Sequence, residues 1–100
     1  MPLVYIPNKG TNIYTPAERF GELVFVTKGW VDLADSDSLF STALESLEHS
    51  KPIDYIVMSG PYALVSILCS VFALKHNRLN MLIYRGERYL NRELDLTGVE

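Results

Sequence analysis

Two short stretches carry residue types that could hold an anion. Ser59-Gly60-Pro61-Tyr62 offers a hydroxyl and, where a helix starts, the unpaired N–H groups of its first turn, which favour phosphate or carboxylate. Asn8-Lys9-Gly10-Thr11-Asn12 offers a cation, hydroxyl and amide neighbours and a flexible glycine after a strand. Arg85, beside a later turn, adds a second cation. The candidate ligand-binding residues are therefore Lys9, Gly10, Thr11, Ser59, Gly60, Tyr62 and Arg85. Neither stretch has the G-x-x-x-x-G-K-[ST] spacing of a P-loop or the G-x-G-x-x-G dinucleotide fingerprint. Ser, Gly and Pro also serve a helix start with no ligand at all.

Catalysis finds no committed residue. Acid–base work wants a histidine or carboxylate close to those loops, and Glu18, Asp32 and His76 are each accounted for by a helix end. Ser59 with a histidine and an aspartate would make a triad in principle, but the G-x-S-x-G elbow is missing and no spacing selects the partners. Asp32, Asp35 and Asp37 precede a helix, where capping explains them better than a metal. His49 and His76 fall at helix C-termini without ligand-spaced companions. No catalytic residue, metal or cofactor is expected. Trp30 reads as a core plug or a partner anchor, burial being the commoner fate of tryptophan.

The loops need elements to position them. The stretch "DYIVMSGPYALVSILCSVFAL" (Asp54 to Leu74) divides into a strand, the turn Ser59-Gly60-Pro61 and a helix from Tyr62 to Leu74. Its apolar part is far shorter than the about 20 residues a bilayer requires, so it does not cross a membrane. Gly60 is expected as the cap, Pro61 at the first helical position and Asn77 as the stop. Upstream, "ELVFVTKG" (Glu22 to Gly29) is a strand. "DSDSLFSTALESLEHSKP" holds an amphipathic helix gathering Leu39, Phe40, Ala43, Leu44 and Leu47 on one face. "YTPAERFG" is a short helix with Thr15 as cap and Gly21 as terminator, following a strand at Leu3 to Ile6. "RLNMLIYRGERYLNRELDL" is a hairpin with a type II′ turn at Gly86-Glu87 that sets Tyr84 against Tyr89 and Ile83 against Leu90. The residues after Leu96 are expected to fray.

The order β, short helix, β, α, β, α, β, β implies one α/β domain over residues 1–100. It is read as a small Rossmann-like sandwich whose mostly parallel sheet ends in a C-terminal antiparallel β-hairpin. The strand Ile53 to Met58 should be central, with Ile53, Tyr55 and Val57 on one face and Ile56 and Met58 on the other.

The second helix is apolar nearly all round and must be covered on its outer side. Ala63, Ser66, Ser70 and Ala73 form a stripe of small residues on which the same helix of a second copy would pack as a homodimer. The alternative cover is the chain's own segment through Ile13, Tyr14 and Phe20.

The chain has 100 residues and a net charge of -3, which argues against general nucleic-acid binding. Glu18 to Asp54 is acidic, whereas Lys75, Arg78, Arg85, Arg88 and Arg92 make the hairpin region basic, able to meet a phosphate-bearing ligand or an acidic partner, or simply a solvated, charge-guarded edge. The single cysteine, Cys69, excludes an intramolecular disulfide and reads as a small buried hydrophobe. The N-terminus has no secretory pattern, so a cytoplasmic location is expected.

The segments "VYIPNKG", "AERFGELVFVTKG", "DYIVMSGP" and "VFALKHNRLNMLIYR" together resemble small uncharacterised open reading frames of tailed bacteriophages. The resemblance implies a viral source and action in the host cytoplasm, and carries no activity or catalytic residue onto any position. Two function classes follow. The first is a non-enzymatic homodimeric module that binds a host protein or sequesters a small phosphate-bearing ligand at the carboxyl ends of the strands. The second is a compact nucleotide- or phosphoester-processing enzyme using the same crevice.

Overall fold

The computed structural model describes residues 1–99. The chain is α/β, with a five-stranded mixed sheet in the order β2-β1-β3-β4-β5. The strands are β1 (Leu3–Lys9), β2 (Glu22–Lys28), β3 (Tyr55–Val57), β4 (Arg78–Arg85) and β5 (Arg88–Asp95). The first four run parallel, and β5 pairs antiparallel with β4. A 3₁₀ helix (Thr15–Phe20) links β1 to β2, α1 (Ser36–Ser46) links β2 to β3, and α2 (Tyr62–His76) links β3 to β4.

The strand order decides which face each connection covers. The chain moves outward from β1 to β2 and then back across to β3 and β4, so right-handed crossovers put the 3₁₀ helix on one face and α1 and α2 on the other. The apolar pattern agrees. On the α face, Leu39, Ala43 and Leu47 of the α1 region and Leu64, Leu68 and Phe72 of α2 bury Tyr5 and Ile56. On the opposite face, Tyr14 and Ala17 cover Val4, Ile6, Val57, Leu82 and Tyr89. Alternation along β1 sends Val4 and Ile6 to one core and Tyr5 to the other, as a strand buried on both sides requires.

β3 shows the expected two-sided pattern, with Tyr55 and Val57 facing the 3₁₀ helix and Ile56 and Met58 facing α1 and α2; Ile53 lies outside the strand and is exposed. The hairpin register is the expected one, Tyr84 against Tyr89 and Ile83 against Leu90. Its turn is different: Gly86 and Glu87 both have positive φ (61° and 64°), which makes it type I′ rather than II′.

Several local expectations are corrected. Tyr14, not Thr15, precedes the 3₁₀ helix, and no side chain caps it. Pro61 is the N-cap of α2 rather than its first residue, displacing Gly60 from that role. Gly60 is required instead by its φ of 120° as the chain passes Pro7 and Asn8. Asn77 ends α2 in the left-handed conformation, as expected. Phe40 and Leu44 are about half exposed, so the buried stripe of α1 is narrower than its periodicity suggested. Tyr14 and Phe20 pack on the face opposite α2, and Ile13 is exposed, so the N-terminal segment does not cover the outer side of that helix. Trp30 is 86% exposed, and Cys69 is only half-buried, with burial holding its thiol pKa up at about 11. Beyond Leu96 the chain forms a hydrogen-bonded turn, Val99 N–H to Leu96 O, and Glu100 lies outside the described residues.

Candidate functional site

At the amino ends of the parallel strands, buried polar groups join the elements. Asp54, 1% exposed, accepts from Leu3 N–H (2.9 Å) and Lys51 N–H (2.8 Å). Asn80, 2% exposed, donates to the carbonyls of Pro52 (2.6 Å) and Asp54 (2.8 Å) and accepts from Arg78 Nε, whose other end pairs with Glu93 at 3.2 Å. Beside them, Ser50 Oγ lies 2.8 Å from both Leu47 O, to which it donates, and His76 Nε2. The Lys75 ammonium ties down the carbonyls of Leu47 and Glu48 (2.6 Å each). His76 is held below the ordinary imidazole pKa of 6.5, first by burial and then by Lys75, with Asp54 opposing.

The carboxyl ends of the strands are different. A cleft of about 470 Å³ opens there, on the side of the sheet covered by the 3₁₀ helix, lined by Thr11, Asn12, Ile13, Tyr14, Ser59, Tyr84 and Tyr89. Three loops meet in it: the one after β1, the one after β3, and the hairpin end. Tyr14 OH joins two of them at long range, donating to Asn8 O (3.4 Å) and accepting from Ser59 Oγ (3.4 Å). Tyr84 and Tyr89 stack edge to face, centroids 5.1 Å apart. The Tyr89 phenol pKa is raised, chiefly by burial and further by Tyr14 and Tyr84, so it is a neutral hydroxyl at physiological pH. The cleft thus presents hydroxyls and aromatic surface, a combination that suits a flat polar ligand.

One cation stands beside it, and two arginines at the hairpin end alternate to the opposite face of the sheet. Lys9 is the last residue of β1, its ammonium 5.1 Å from the Phe25 ring centroid, and that ring packs edge-on against Tyr14. Arg85 and Arg88 face each other across the hairpin end, one residue beyond the Tyr84–Tyr89 pair. Like charges directly opposite disfavour one another. Among the described residues the ion pairs are Arg78–Glu93 and His49–Glu48, and Lys9, Arg85 and Arg88 join neither. Carboxylates also lie toward this end: Glu87 in the hairpin turn, and Asp32, Asp35 and Asp37 before and in the first turn of α1. Asp35 caps Ser38 N–H and Asp32 accepts from Ala34 N–H, as capping predicts.

Of the residues singled out from the sequence, the structure places Thr11 and Ser59 in the cleft wall. Lys9 stands beside the cleft over Phe25 without lining it, Arg85 alternates to the face away from it, Gly10 is an exposed loop residue, and Gly60 shapes the turn behind Ser59. Tyr62 is 91% exposed at the start of α2 and does not enter the wall. Sequence reasoning missed Tyr14, Tyr84 and Tyr89 as lining residues, although the hairpin register already placed the last two side by side. In the stripe on α2, Ser66 and Ser70 are exposed and Ala63 and Ala73 half-buried, with Ser70 Oγ returning to Ser66 O. A second depression, about 440 Å³, runs between α1 and α2 past Phe40, Leu44, Val71 and Leu74 and is mostly apolar, with Glu48 and Lys75 at its wall. Among the described residues no helix is long and apolar enough to cross a membrane, and no three His, Cys, Asp or Glu side chains gather as metal ligands would.

A family model described as phage Pam3 gp32-like protein covers residues 2–96, and with them all four segments on which the phage resemblance rests. Neither the curated proteins nor the solved structures contain a match.

Proposed function

The chain belongs to the phage Pam3 gp32-like protein family, and from that premise we propose that it is a non-enzymatic, homodimeric binding module that holds a small phosphate-bearing ligand in the host cytoplasm. The ligand sits in the cleft at the carboxyl ends of the strands, with its flat part against Tyr84 and Tyr89 and its phosphate toward Ser59, Thr11 and the Lys9 ammonium. A mononucleotide has both parts. The observation that carries this reading is the convergence of three loops on one hydroxyl-lined cleft, with Lys9, which has no carboxylate partner, held over the Phe25 ring that packs on Tyr14. Support also comes from the fold read as Rossmann-like: β2 and β3 flank β1, so connections leave in opposite directions between β1 and β3, where ligands of open α/β sheets bind. The first turn of α2, capped by no side chain, adds free N–H donors just beyond Ser59.

A thermal-shift series with inorganic phosphate and mononucleotides tests it. The wild-type chain should gain several degrees with a mononucleotide, and Ser59→Leu, which fills the cleft wall, should abolish the gain. No shift with any of these ligands, or an equal shift in Ser59→Leu, contradicts the reading and leaves a host protein as the partner. Turnover of the nucleotide contradicts the non-enzymatic part and favours the enzyme.

A further inference from the structure

The β4–β5 hairpin sorts its charges by face. Leu79 packs with α1 and α2, so by alternation and register Ile83, Arg85, Arg88, Leu90, Arg92 and Leu94 look the same way. Glu93 and Asp95 look the other way, where Glu93 pairs with Arg78. The helix side of the two strands therefore holds three arginines and no carboxylate. α2 packs on β4 and leaves β5 open on this side: the three arginines are exposed and in no ion pair, and Leu94 is 45% exposed. The outward side of α1 is the complement. Asp37, Phe40, Leu44, Glu45 and Glu48 are exposed at the spacing of one helix face. Among the described residues no lysine or arginine pairs with those carboxylates, and Glu48 meets only the neighbouring His49 at 3.8 Å. Within one chain both surfaces look the same way, and α2, which packs on α1 and on β4, stands between them. They can meet only between copies.

We propose that a second copy of this chain docks on the helix side of the sheet, α1 of each copy lying against the arginine face of the other's hairpin, about a two-fold axis that runs along α2. This names the interface of the homodimer proposed above and rests on that part of the reading. Charge selects the axis. α1, α2 and the open face of the hairpin follow one another across this side of the sheet. A two-fold axis along α2 exchanges the outer two, so acid meets base at two equivalent places. An axis across α2 would set α1 on α1 and arginines on arginines. Each contact also has apolar members, Phe40 and Leu44 from α1 and Leu90 and Leu94 from the hairpin, so burial adds to the attraction. At the centre α2 meets its mate. There Ser66 and Ser70 are exposed and Ala63 and Ala73 half-buried, small enough for a close approach, and the Ser70 hydroxyl is already given to Ser66 O. The opposing contribution is Lys75, which stands beside Glu48 and offsets part of the acidic field of α1.

The interface lies across the sheet from the cleft, so ligand binding and dimer formation can fail separately. Sedimentation over a range of concentrations should find a wild-type dimer that weakens as salt is raised. R88E/R92E on the hairpin and E45K/E48K on α1 should each weaken it by about tenfold with an unchanged circular dichroism spectrum. Mixed in equal amounts, the two variants should associate again, since each supplies the charge the other lacks. A chain carrying all four changes should dimerise alone, because acid again faces base at both places. A wild-type monomer at every concentration overturns this interface together with the homodimeric part of the reading. A dimer indifferent to the charge reversals, or variants that do not recover one another, overturns the interface alone. A dimer lost in Ser66→Arg but intact in both charge variants does the same and assigns the contact to the stripe on α2.

Discussion

The two ends of the parallel strands use similar side chains to opposite effect. At the amino ends, Asp54, Asn80, Arg78 and Glu93 are bonded to one another or to backbone, and even the depression there, about 410 Å³, is walled by groups already paired. At the carboxyl ends the hydroxyl contacts are long, the three cations have no carboxylate partner, and the hairpin turn holds a non-glycine residue at positive φ. Buried polar groups are costly unless satisfied, so a closed network is a structural device, whereas polar groups left open at the surface are available to something else. The end that is finished holds the fold. The end left unfinished is where the proposed ligand would be bound.

That contrast predicts where substitutions hurt. Asp54→Ala strands the Leu3 and Lys51 N–H groups at the closed end and should lower unfolding stability by about 3 kcal/mol in urea denaturation. A loss under about 1 kcal/mol would mean the closed end is not what holds the sheet. At the open end the sign reverses. Glu87→Gly relieves the left-handed backbone of the type I′ turn and should raise stability by about 0.5 to 1 kcal/mol.

The smallest effect is a pH dependence at the closed end. His76 has a folded pKa below its ordinary 6.5, so both states are neutral above that pH. As pH falls below about 6.5 the unfolded chain takes up a proton that the folded chain refuses, and stability declines toward the folded pKa. His76→Gln should flatten this part of a stability-against-pH profile. A profile that declines equally in the variant would place the titrating group elsewhere.

Much of the fold was legible because periodicity speaks directly to element type. The two-faced pattern of Tyr55 to Met58, the Asn77 stop and the hairpin register all follow from local chemistry, and the structure bears them out. What was illegible needed the strand order. Once β1 lies between β2 and β3, handedness sends the 3₁₀ helix to the face away from α1 and α2, and with it Tyr14 and Phe20; no local pattern around those residues encodes that. The turn type was missed because Gly86 satisfies either reading, while positive φ at Glu87 goes against the residue's own preference. The cleft was half legible. Thr11 and Ser59 sit in loops that follow strands, which is a sequence signal, but Tyr14, Tyr84 and Tyr89 join them only through long-range packing.

The most direct measurement is an NMR titration of the labelled protein with a mononucleotide. The account requires amide shifts at Thr11, Ser59, Tyr84 and Tyr89, saturating together, with Asp54 and Asn80 at the closed end unmoved. Shifts confined to the closed end or to the groove between α1 and α2, or no saturable shift at all, would contradict it.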